Sequence, residues 1–319
     1  MPHCSPTSFF GRIPSFMTLE TIQKPLSKIR IFLEMIKFEH SIFALPFAYL
    51  GLFLAHAQVK ADNANESRLW VTFFWVTVAM VTLRTVAMSL NRLIDQPIDS
   101  LNPRTENRAL PKKLLSRSFT WFAAFFGMGI FILATSELNT LCFALSPIPI
   151  ALVWIYPYLK RFTWLSHWVL GLTLGVAPYG GWLAIYPEWS WTPGILTIAV
   201  TCWVSGFDVF YALQDEAFDR RNGYFSLPAS FGSQNAILIA KISQGITVLA
   251  FVALGVVMNL GILYWVGVGV ATALIIYEHQ LVGRFGLTKI NEAFFNMNAW
   301  VSVIIFAGTF SELIIHSRI

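Results

Sequence analysis

Apolar runs of about 18 or more residues recur along the whole sequence, and this repetition constrains the fold more than any other feature. Only 12% of the residues are charged, whereas about a quarter would be charged in a soluble domain. We therefore predict an all-α, polytopic membrane protein, a bundle of about nine transmembrane helices around a central cavity that opens to the cytoplasmic side. The predicted spans cover residues 38–57, 69–96, 118–136, 140–159, 165–186, 194–214, 235–259, 261–281 and 295–316.

The distribution of Lys and Arg predicts how these helices are oriented. All but four of the 22 Lys and Arg residues lie before the first predicted span or around the loops that follow even-numbered spans. Cytoplasmic loops carry an excess of Lys and Arg, so we expect the N-terminus and these loops in the cytoplasm. The exceptions are Lys60, Arg68 and Arg318 on the other side and Arg84 within the second span. This asymmetry also accounts for the net charge of +5, which would otherwise suggest a nucleic-acid partner.

The three cysteines, Cys4, Cys142 and Cys202, are far apart in the sequence, so they indicate neither a disulfide framework nor a zinc site. Residues 1–25 are polar, are broken by prolines and lack the apolar core of a signal peptide. We expect them to form a loose cytoplasmic extension, and residues 26–319 to form a single membrane domain.

A first group of polar residues ends the second span, where Asn91, Asp95 and Asp99 follow one another at intervals of four. On an α-helix such residues stack along one side, with a rise of about 6 Å per step. Pro97 interrupts the pattern, because proline donates no helical hydrogen bond and biases Gln96 away from the α conformation. We therefore expect the helix to end around Asp95–Gln96 and Asp99 to lie on a separate short turn.

A second acidic group, formed by Asp208, Asp215 and Asp219, closes the sixth span. Asp215 and Asp219 follow Asp208 by 7 and 11 residues, which on an α-helix places the three carboxylates within about 40° of one another. Two carboxylate clusters at the ends of membrane helices suggest a divalent metal that holds an anion. Mg²⁺ suits such a site, because it prefers oxygen ligands and commonly takes one or two carboxylates together with phosphate oxygens and water.

Basic side chains accompany both clusters. Arg104 and Arg108 follow the first group in the sequence, and a guanidinium offers paired donors to phosphate oxygens. Arg84 lies inside the second span, about 20° around the helix from Asn91, where hydrocarbon requires a charge to have a partner. Arg84 either faces a bound anion or ties two helices together through a buried carboxylate.

Tyr156 and Lys160 end the fourth span and share one helix face, although a Tyr at this depth is often an ordinary aromatic-belt residue. Acidic clusters with a few basic residues suit a diphosphate, and a membrane enzyme is expected to take a lipid diphosphate whose tail lies between helices. If that leaving group departs heterolytically, the remaining allylic cation needs dry, aromatic surroundings.

Together, three motifs in this order resemble the signatures of the UbiA superfamily of intramembrane aromatic prenyltransferases: Asn91-x3-Asp95-x3-Asp99, Tyr156-x3-Lys160 and Asp215-x3-Asp219. The resemblance covers nearly all of the chain from about Leu26 onward, with Pro97 as a departure inside the first motif. Two segments are similar to the 4-hydroxybenzoate polyprenyltransferase branch, namely Lys37-Phe38-Glu39-His40-Ser41-Ile42-Phe43-Ala44-Leu45-Pro46 and Tyr211-Ala212-Leu213-Gln214-Asp215-Glu216-Ala217-Phe218-Asp219. They are more similar still to relatives in menaquinone synthesis by the futalosine route, whose acceptor is 1,4-dihydroxy-6-naphthoate.

The resemblance implies Mg²⁺-dependent transfer of a polyprenyl group from polyprenyl diphosphate to a small aromatic acid, either 4-hydroxybenzoate or 1,4-dihydroxy-6-naphthoate, in ubiquinone or menaquinone biosynthesis. It implies that Asn91, Asp95 and Asp99 bind one Mg²⁺ together with the diphosphate. By the same resemblance, Asp215 and Asp219 bind a second Mg²⁺.

For the substrates, the resemblance implies that Tyr156 and Lys160 contact the diphosphate during catalysis, and that Arg104 and Arg108 close over it. We assign Arg84 to the carboxylate of the acceptor or to the diphosphate. The remaining catalytic candidate, Asp208, would orient the acceptor or take the ring proton.

Other functions fit parts of this pattern. The acceptor could instead be haem, chlorophyllide or a dihydroxynaphthoate, and a cation-coupled transporter would also place acids within a membrane. A transporter is expected to carry its charges near the bilayer midplane and to show related halves, and a lipid phosphotransferase is expected to carry a D-G-x2-A-R motif. We therefore favour the prenyltransferase, placed in a bacterial plasma membrane with no nucleic-acid partner and no obligate protein partner.

Overall fold

The computed structural model describes residues 27–37, 44–61, 68–285 and 290–316, and within these ranges the chain is helical and contains no strand. The predicted extension at residues 1–25 lies outside them. The helices are α1 (Lys28–Met35), α2 (Leu45–Ala61), α3 (Leu69–Asp99), α4 (Arg117–Leu138), α5 (Thr140–Leu145), α6 (Pro147–Leu159), α7 (Ser166–Ile185), α8 (Trp191–Leu213), α9 (Glu216–Asn222), α10 (Leu227–Phe231), α11 (Ser233–Val257), α12 (Ile262–Phe285) and α13 (Ile290–Ile315).

The prediction of an all-α, polytopic membrane protein is confirmed. In the described part of the chain, eight segments are long and apolar enough to cross a membrane, from Leu69–Asp99 to Met297–Ile315. A further helix, α2, corresponds to the first predicted span, of which residues 38–43 lie outside the described ranges. The fourth predicted span consists of α5 and α6, which are separated at Ser146 because Pro147 can begin a helix but cannot continue one.

The prediction that the second span ends before Pro97 is wrong, because α3 continues through this proline to Asp99. Proline removes only its own hydrogen bond, and the next turn is closed by Ser100, whose backbone N–H donates to the carbonyl of Gln96 at 3.0 Å. The side chain of Gln96 also donates to the carbonyl of Leu110 at 3.2 Å. These contacts outweigh the local preference, so Asp99 stays on the same helix as Asp95.

The prediction that the second acidic group lies on one helix is also wrong. Asp208 lies in α8, which ends at Leu213, whereas Asp219 lies in the separate helix α9. Between the two helices the backbone N–H of Asp215 donates to the carbonyl of Ala212, three residues earlier, at 3.0 Å. This tighter turn redirects the chain, and the side chain of Asp215 is held there by partners from another loop.

Close backbone contacts place α7 between α2 and α8. A Cβ atom added at Gly181 would lie 2.0 Å from the carbonyl oxygen of Ala48 in α2. On the other side, a Cβ atom at Gly171 would lie 2.3 Å from the carbonyl oxygen of Thr201 in α8. Only glycine permits such a close approach, so these contacts fix the position of α7 relative to α2 and to α8, the helix that carries Asp208.

A buried polar network joins α8 to the last three long helices. The carboxylate of Glu278, 1% exposed, accepts hydrogen bonds from the side-chain amides of Asn298 at 3.0 Å and Gln244 at 3.4 Å. Asn298 in turn accepts a hydrogen bond from Trp203 Nε1 at 3.0 Å. Because buried polar groups are costly without partners, this network fixes the rotation of α8 within the bundle.

We expect Gly181→Ala to lower the melting temperature of the detergent-solubilised protein, because the new methyl group would collide with the backbone of α2. Overpacking of this kind costs about 1–3 kcal/mol. Gly180→Ala is the matched control, since a Cβ atom at Gly180 meets nothing within 4 Å. Equal melting temperatures for the two variants would show that the contact between α2 and α7 does not depend on glycine.

Candidate active site

The first carboxylate of the site, Asp95, is buried near the end of α3. Its Oδ2 atom lies 2.8 Å from Nζ of Lys160 and accepts a hydrogen bond from Nδ2 of Asn91 at 3.1 Å. Its Oδ1 atom is buried and has no hydrogen-bond partner within the part of the chain that the structure describes. A buried carboxylate oxygen is rarely left unsatisfied, so this atom marks a position where a ligand can bind.

The second carboxylate, Asp99, lies one helical turn later and is also buried. Nη1 of Arg108 donates to both of its oxygens, at 2.7 and 2.8 Å. The hydroxyl of Thr105 donates to the backbone carbonyl of Asp99 at 3.1 Å. The loop that follows α3 therefore folds back over the helix end and brings its arginine to the acid.

The third carboxylate, Asp215, is distant in the sequence but is bound by the same loop after α3. Arg104 forms a bidentate ion pair with Asp215, in which Nε donates to Oδ1 at 2.8 Å and Nη2 donates to Oδ2. Nδ2 of Asn102 also donates to Oδ1, at 2.9 Å. Partial burial alone would raise the pKa of Asp215, but the hydrogen bonds and charge of Arg104, together with Asn102, hold that pKa below its ordinary value.

Residues 225–227, which we call the strap, connect three parts of the site. The backbone N–H of Phe225 donates to the carbonyl of Lys160 at 2.7 Å. Burial raises the pKa of Asp219, and Ser226 lies close enough for its hydroxyl to lower that pKa in part. The backbone N–H of Leu227 donates to Nε2 of His167 at 3.3 Å. The strap thus links the ends of α6, α9 and α7.

Asp208 lies deeper along α8 and has a different partner. Nδ1 of His167 lies 2.7 Å from its Oδ2 atom, and the side chain of Asp208 remains 28% exposed. The hydroxyl of Tyr156 is within electrostatic reach of Asp208, Asp95 and Arg84. Tyr156 therefore lies near both Asp208 and Asp95, the first acid of the site.

Arg84 is the charged residue farthest from the helix end. Among the residues that the structure describes, it forms no ion pair with a carboxylate, and its Nε atom is buried without a hydrogen-bond partner. Within the described residues, the structure therefore shows no buried tie between Arg84 and a carboxylate of another helix. The guanidinium lies within electrostatic reach of Tyr156, where an anion could serve as its partner.

Residues 44–301 match the sequence model of the UbiA prenyltransferase family. The chain belongs to this family. It is therefore a prenyltransferase, and the membership disfavours the transporter as an alternative.

Individual relatives cover most of the chain. The 4-hydroxybenzoate octaprenyltransferase of Pseudoalteromonas translucida is 27% identical over 93% of this chain and 94% of its own. The apo structure of a UbiA homologue from Aeropyrum pernix has a TM-score of 0.77 at 31% identity, covering 86% of this chain and 98% of that one. A UbiA homologue from Archaeoglobus fulgidus, solved with DMAPP and Mg²⁺, shares the fold with a TM-score of 0.62 at 17% identity, covering 89% and 99%.

In this UbiA family member, the predicted acids Asp95, Asp99 and Asp215 and their cations lie at one end of the bundle, whereas Asp208 and Arg84 lie deeper. Three carboxylates each pair with a cation, in the pairs Asp95–Lys160, Asp99–Arg108 and Asp215–Arg104. Arg104 is also within electrostatic reach of Asp99 and Asp219. The two acidic groups, separated by more than a hundred residues in the sequence, therefore share one electrostatic environment.

Two residues of the site were missed by the sequence analysis. The sequence analysis treated Asn102 as part of a basic loop, although an Asn before a proline commonly forms a turn. In the structure its Oδ1 atom accepts a hydrogen bond from the backbone N–H of Arg104 at 3.0 Å. His167 lies in the first turn of the fifth span. An ionisable residue at the end of a membrane helix is the sequence signal that would have identified it.

Proposed function

We propose that this protein transfers a polyprenyl group from a polyprenyl diphosphate to 4-hydroxybenzoate or 1,4-dihydroxy-6-naphthoate and releases diphosphate, as a step of ubiquinone or menaquinone biosynthesis. The observation that carries the proposal is the convergence of three carboxylates and their three cations at one end of a UbiA-family bundle. The names of the curated relatives support an aromatic acid as acceptor rather than haem or another ring system.

The donor atoms in this region fit Mg²⁺. The described residues contain no group of three His, Cys, Asp or Glu side chains that could hold a metal by themselves. Mg²⁺ does not require such a group when phosphate oxygens complete its octahedron. Asn91, Asp95 and Asp99 would hold one ion, and the unpartnered Oδ1 atom of Asp95 would be available to it as a ligand. Asp215 and Asp219 would hold a second ion.

When bound, Mg²⁺ would neutralise charge that develops on the departing diphosphate. The A. fulgidus homologue with DMAPP and Mg²⁺ supports this pairing of metal and diphosphate. Around the same anion, Lys160, Arg104 and Arg108 supply positive charge, and Tyr156 supplies a hydroxyl donor. Each of these cations lies within bonding distance of a carboxylate, so a small change of rotamer brings it from the acid to the phosphate.

The acceptor would lie deeper, between Arg84 and Asp208. Its carboxylate would bind the free guanidinium of Arg84, which directs the electron-rich ring toward the allylic carbon. The bond between that carbon and the diphosphate oxygen breaks, and its electron pair leaves with the diphosphate. The ring carbon then forms the new bond to the allylic carbon, and Asp208 takes the proton that the ring loses.

We also propose that the protein lies in a bacterial inner membrane, with its N-terminus and the loops of the site in the cytoplasm. The excess of Lys and Arg around those loops supports this orientation, and the bacterial source of the P. translucida relative supports the location. The proposal includes no nucleic-acid partner and no obligate protein partner.

Replacing Asp95 or Asp215 by Asn is expected to reduce prenylation at least about 100-fold, because each change removes a ligand that stabilises the leaving group. The assay uses membranes, radiolabelled polyprenyl diphosphate, Mg²⁺ and each of the two aromatic acids. The acid that becomes labelled identifies the quinone pathway. Glu106→Gln is the matched control, since Glu106 is an exposed acid in the same loop as Arg104. Full activity in either Asn variant, or no labelled product with either acid, would refute the proposal.

Arg84→Gln is expected to raise the KM for the aromatic acid about 10- to 100-fold, since a hydrogen bond to a charged group contributes about 1.5–3 kcal/mol. The KM for polyprenyl diphosphate should remain nearly constant. The same assay with phenol in place of 4-hydroxybenzoate tests the contact directly, because wild type should prefer the acid and the variant should not. An unchanged preference in Arg84→Gln would show that this arginine does not bind the acceptor's carboxylate.

Arg104→Gln should change the affinity for a divalent metal in opposite directions with and without a diphosphate. Without one, Arg104 competes for the oxygens of Asp215, and its removal should tighten Mn²⁺ binding about 2- to 10-fold, as measured by electron paramagnetic resonance. With geranyl diphosphate present, the variant should bind Mn²⁺ more weakly than wild type, because a cation that attracts the diphosphate is lost. Lys112→Gln removes an exposed charge from the same loop and should do neither. A change of the same sign in both conditions would contradict the competition.

A further inference from the structure

His167 is a buried titratable residue that the reaction described above does not use. Its side chain, in the first turn of α7, is only 5% exposed. Nδ1 lies 2.7 Å from Oδ2 of Asp208, and Nε2 lies 3.3 Å from the backbone nitrogen of Leu227. Both ring nitrogens are therefore engaged, one by an acid of the site and the other by the strap.

These two contacts determine where the proton of the ring resides. A backbone N–H can only donate, so Nε2 must accept the hydrogen bond from Leu227 and carries no proton. The proton of the neutral imidazole is then on Nδ1, which donates to Asp208. With Nε2 engaged as an acceptor and Nδ1 as the donor, His167 acts toward Asp208 as a neutral donor.

We propose that His167 is a positioning residue that holds the carboxylate of Asp208 in the orientation in which it receives the ring proton. This inference rests on the role proposed for Asp208. The hydrogen bond from Nδ1 occupies Oδ2, whereas Oδ1 has no hydrogen-bond partner among the described residues, and Tyr156 is within electrostatic reach of this carboxylate. A carboxylate that is free to rotate would present this oxygen only part of the time.

The choice of a neutral partner distinguishes Asp208 from Asp95, Asp99 and Asp215. Asp95, Asp99 and Asp215 each pair with Lys or Arg, which compensates the charge of the carboxylate. Among the ion pairs of the described residues, Asp208 pairs only with His167, and a neutral imidazole orients the carboxylate without cancelling its charge. This difference matches the division of roles, since the paired acids would bind metal and Asp208 would bind a proton.

The strap makes this position dependent on the rest of the site. Leu227 holds the ring of His167, while the adjacent residues bind Lys160 and Asp219. The imidazole is thereby tied to the backbone of Lys160 and to the neighbourhood of Asp219, both of which belong to the proposed diphosphate site. Correct placement of those groups and correct placement of the proton acceptor are therefore connected through three consecutive residues.

Two conservative variants separate the two contacts of the ring. The side-chain amide of Asn reaches about the place of Nδ1, so His167→Asn can still donate to Asp208. The longer side chain of Gln reaches the place of Nε2, so His167→Gln keeps a contact with the strap and loses the one with Asp208. We expect His167→Asn to keep kcat within about 3-fold of wild type, and His167→Gln and His167→Ala to lose about 10- to 100-fold.

The measurements use the full-length protein with Mg²⁺, polyprenyl diphosphate and the aromatic acid that wild type labels. The KM for polyprenyl diphosphate should change less than about 3-fold in all variants, because a positioning residue acts on the proton-transfer step. Melting temperatures show that each variant is folded. Equal losses in His167→Asn and His167→Ala would assign the residue to packing, and wild-type kcat in His167→Ala would overturn the proposal.

A second measurement does not depend on activity. Nitrogen NMR of ¹⁵N-histidine-labelled protein should show His167 protonated at Nδ1 alone, with the signal assigned by its absence in His167→Asn. Protonation at Nε2, or at both nitrogens, would overturn the inference even if the enzyme is active. No labelled product from wild type with either aromatic acid would instead reject the proposed function, and the spectrum would still decide whether the pair of His167 and Asp208 exists as described.

Discussion

Negative charge at the end of a membrane helix must be compensated, and the organisation of this site follows from that constraint. Water is scarce beside the hydrocarbon, so a carboxylate there needs a cation or a strong donor close by. The chain supplies each cation from a different segment: Lys160 from the end of α6 for Asp95, and Arg108 and Arg104 from one loop for Asp99 and Asp215. The ion pairs thus assemble three separate segments around the place where a ligand would bind.

The helices beneath these segments are fixed by a different kind of interaction. Backbone contact at Gly171 and Gly181 determines how closely α7 approaches its neighbours, and the network centred on Glu278 fixes α8 from the other side. Such contacts tolerate little movement, because backbones in van der Waals contact have no side chain that can adjust. The loops of the site rest on this rigid base and depend on charge, which is the interaction that a charged ligand can compete for.

The fold and most of the site residues could be predicted from the sequence because both depend on local patterns. The bilayer dictates the length and polarity of each span, and residues four apart on a helix lie on one side of it. Local rules failed where distant contacts decided the outcome. Pro97 was expected to end α3, but the next turn is completed by Ser100 and anchored through Leu110. Asp215 was expected to continue α8, but its partners come from residues 102–104.

The strap imposes a condition on how this protein can vary. Phe225, Ser226 and Leu227 contact Lys160, Asp219 and His167, in that order. The contacts therefore depend on the position of each residue along the backbone as much as on its side chain. Two of the three are donated by backbone N–H groups, which every amino acid except proline provides. Substitutions in this segment can therefore be absorbed, whereas a single inserted or deleted residue would put all three contacts out of register. In this loop, the geometry constrains the number of residues more strongly than their identity.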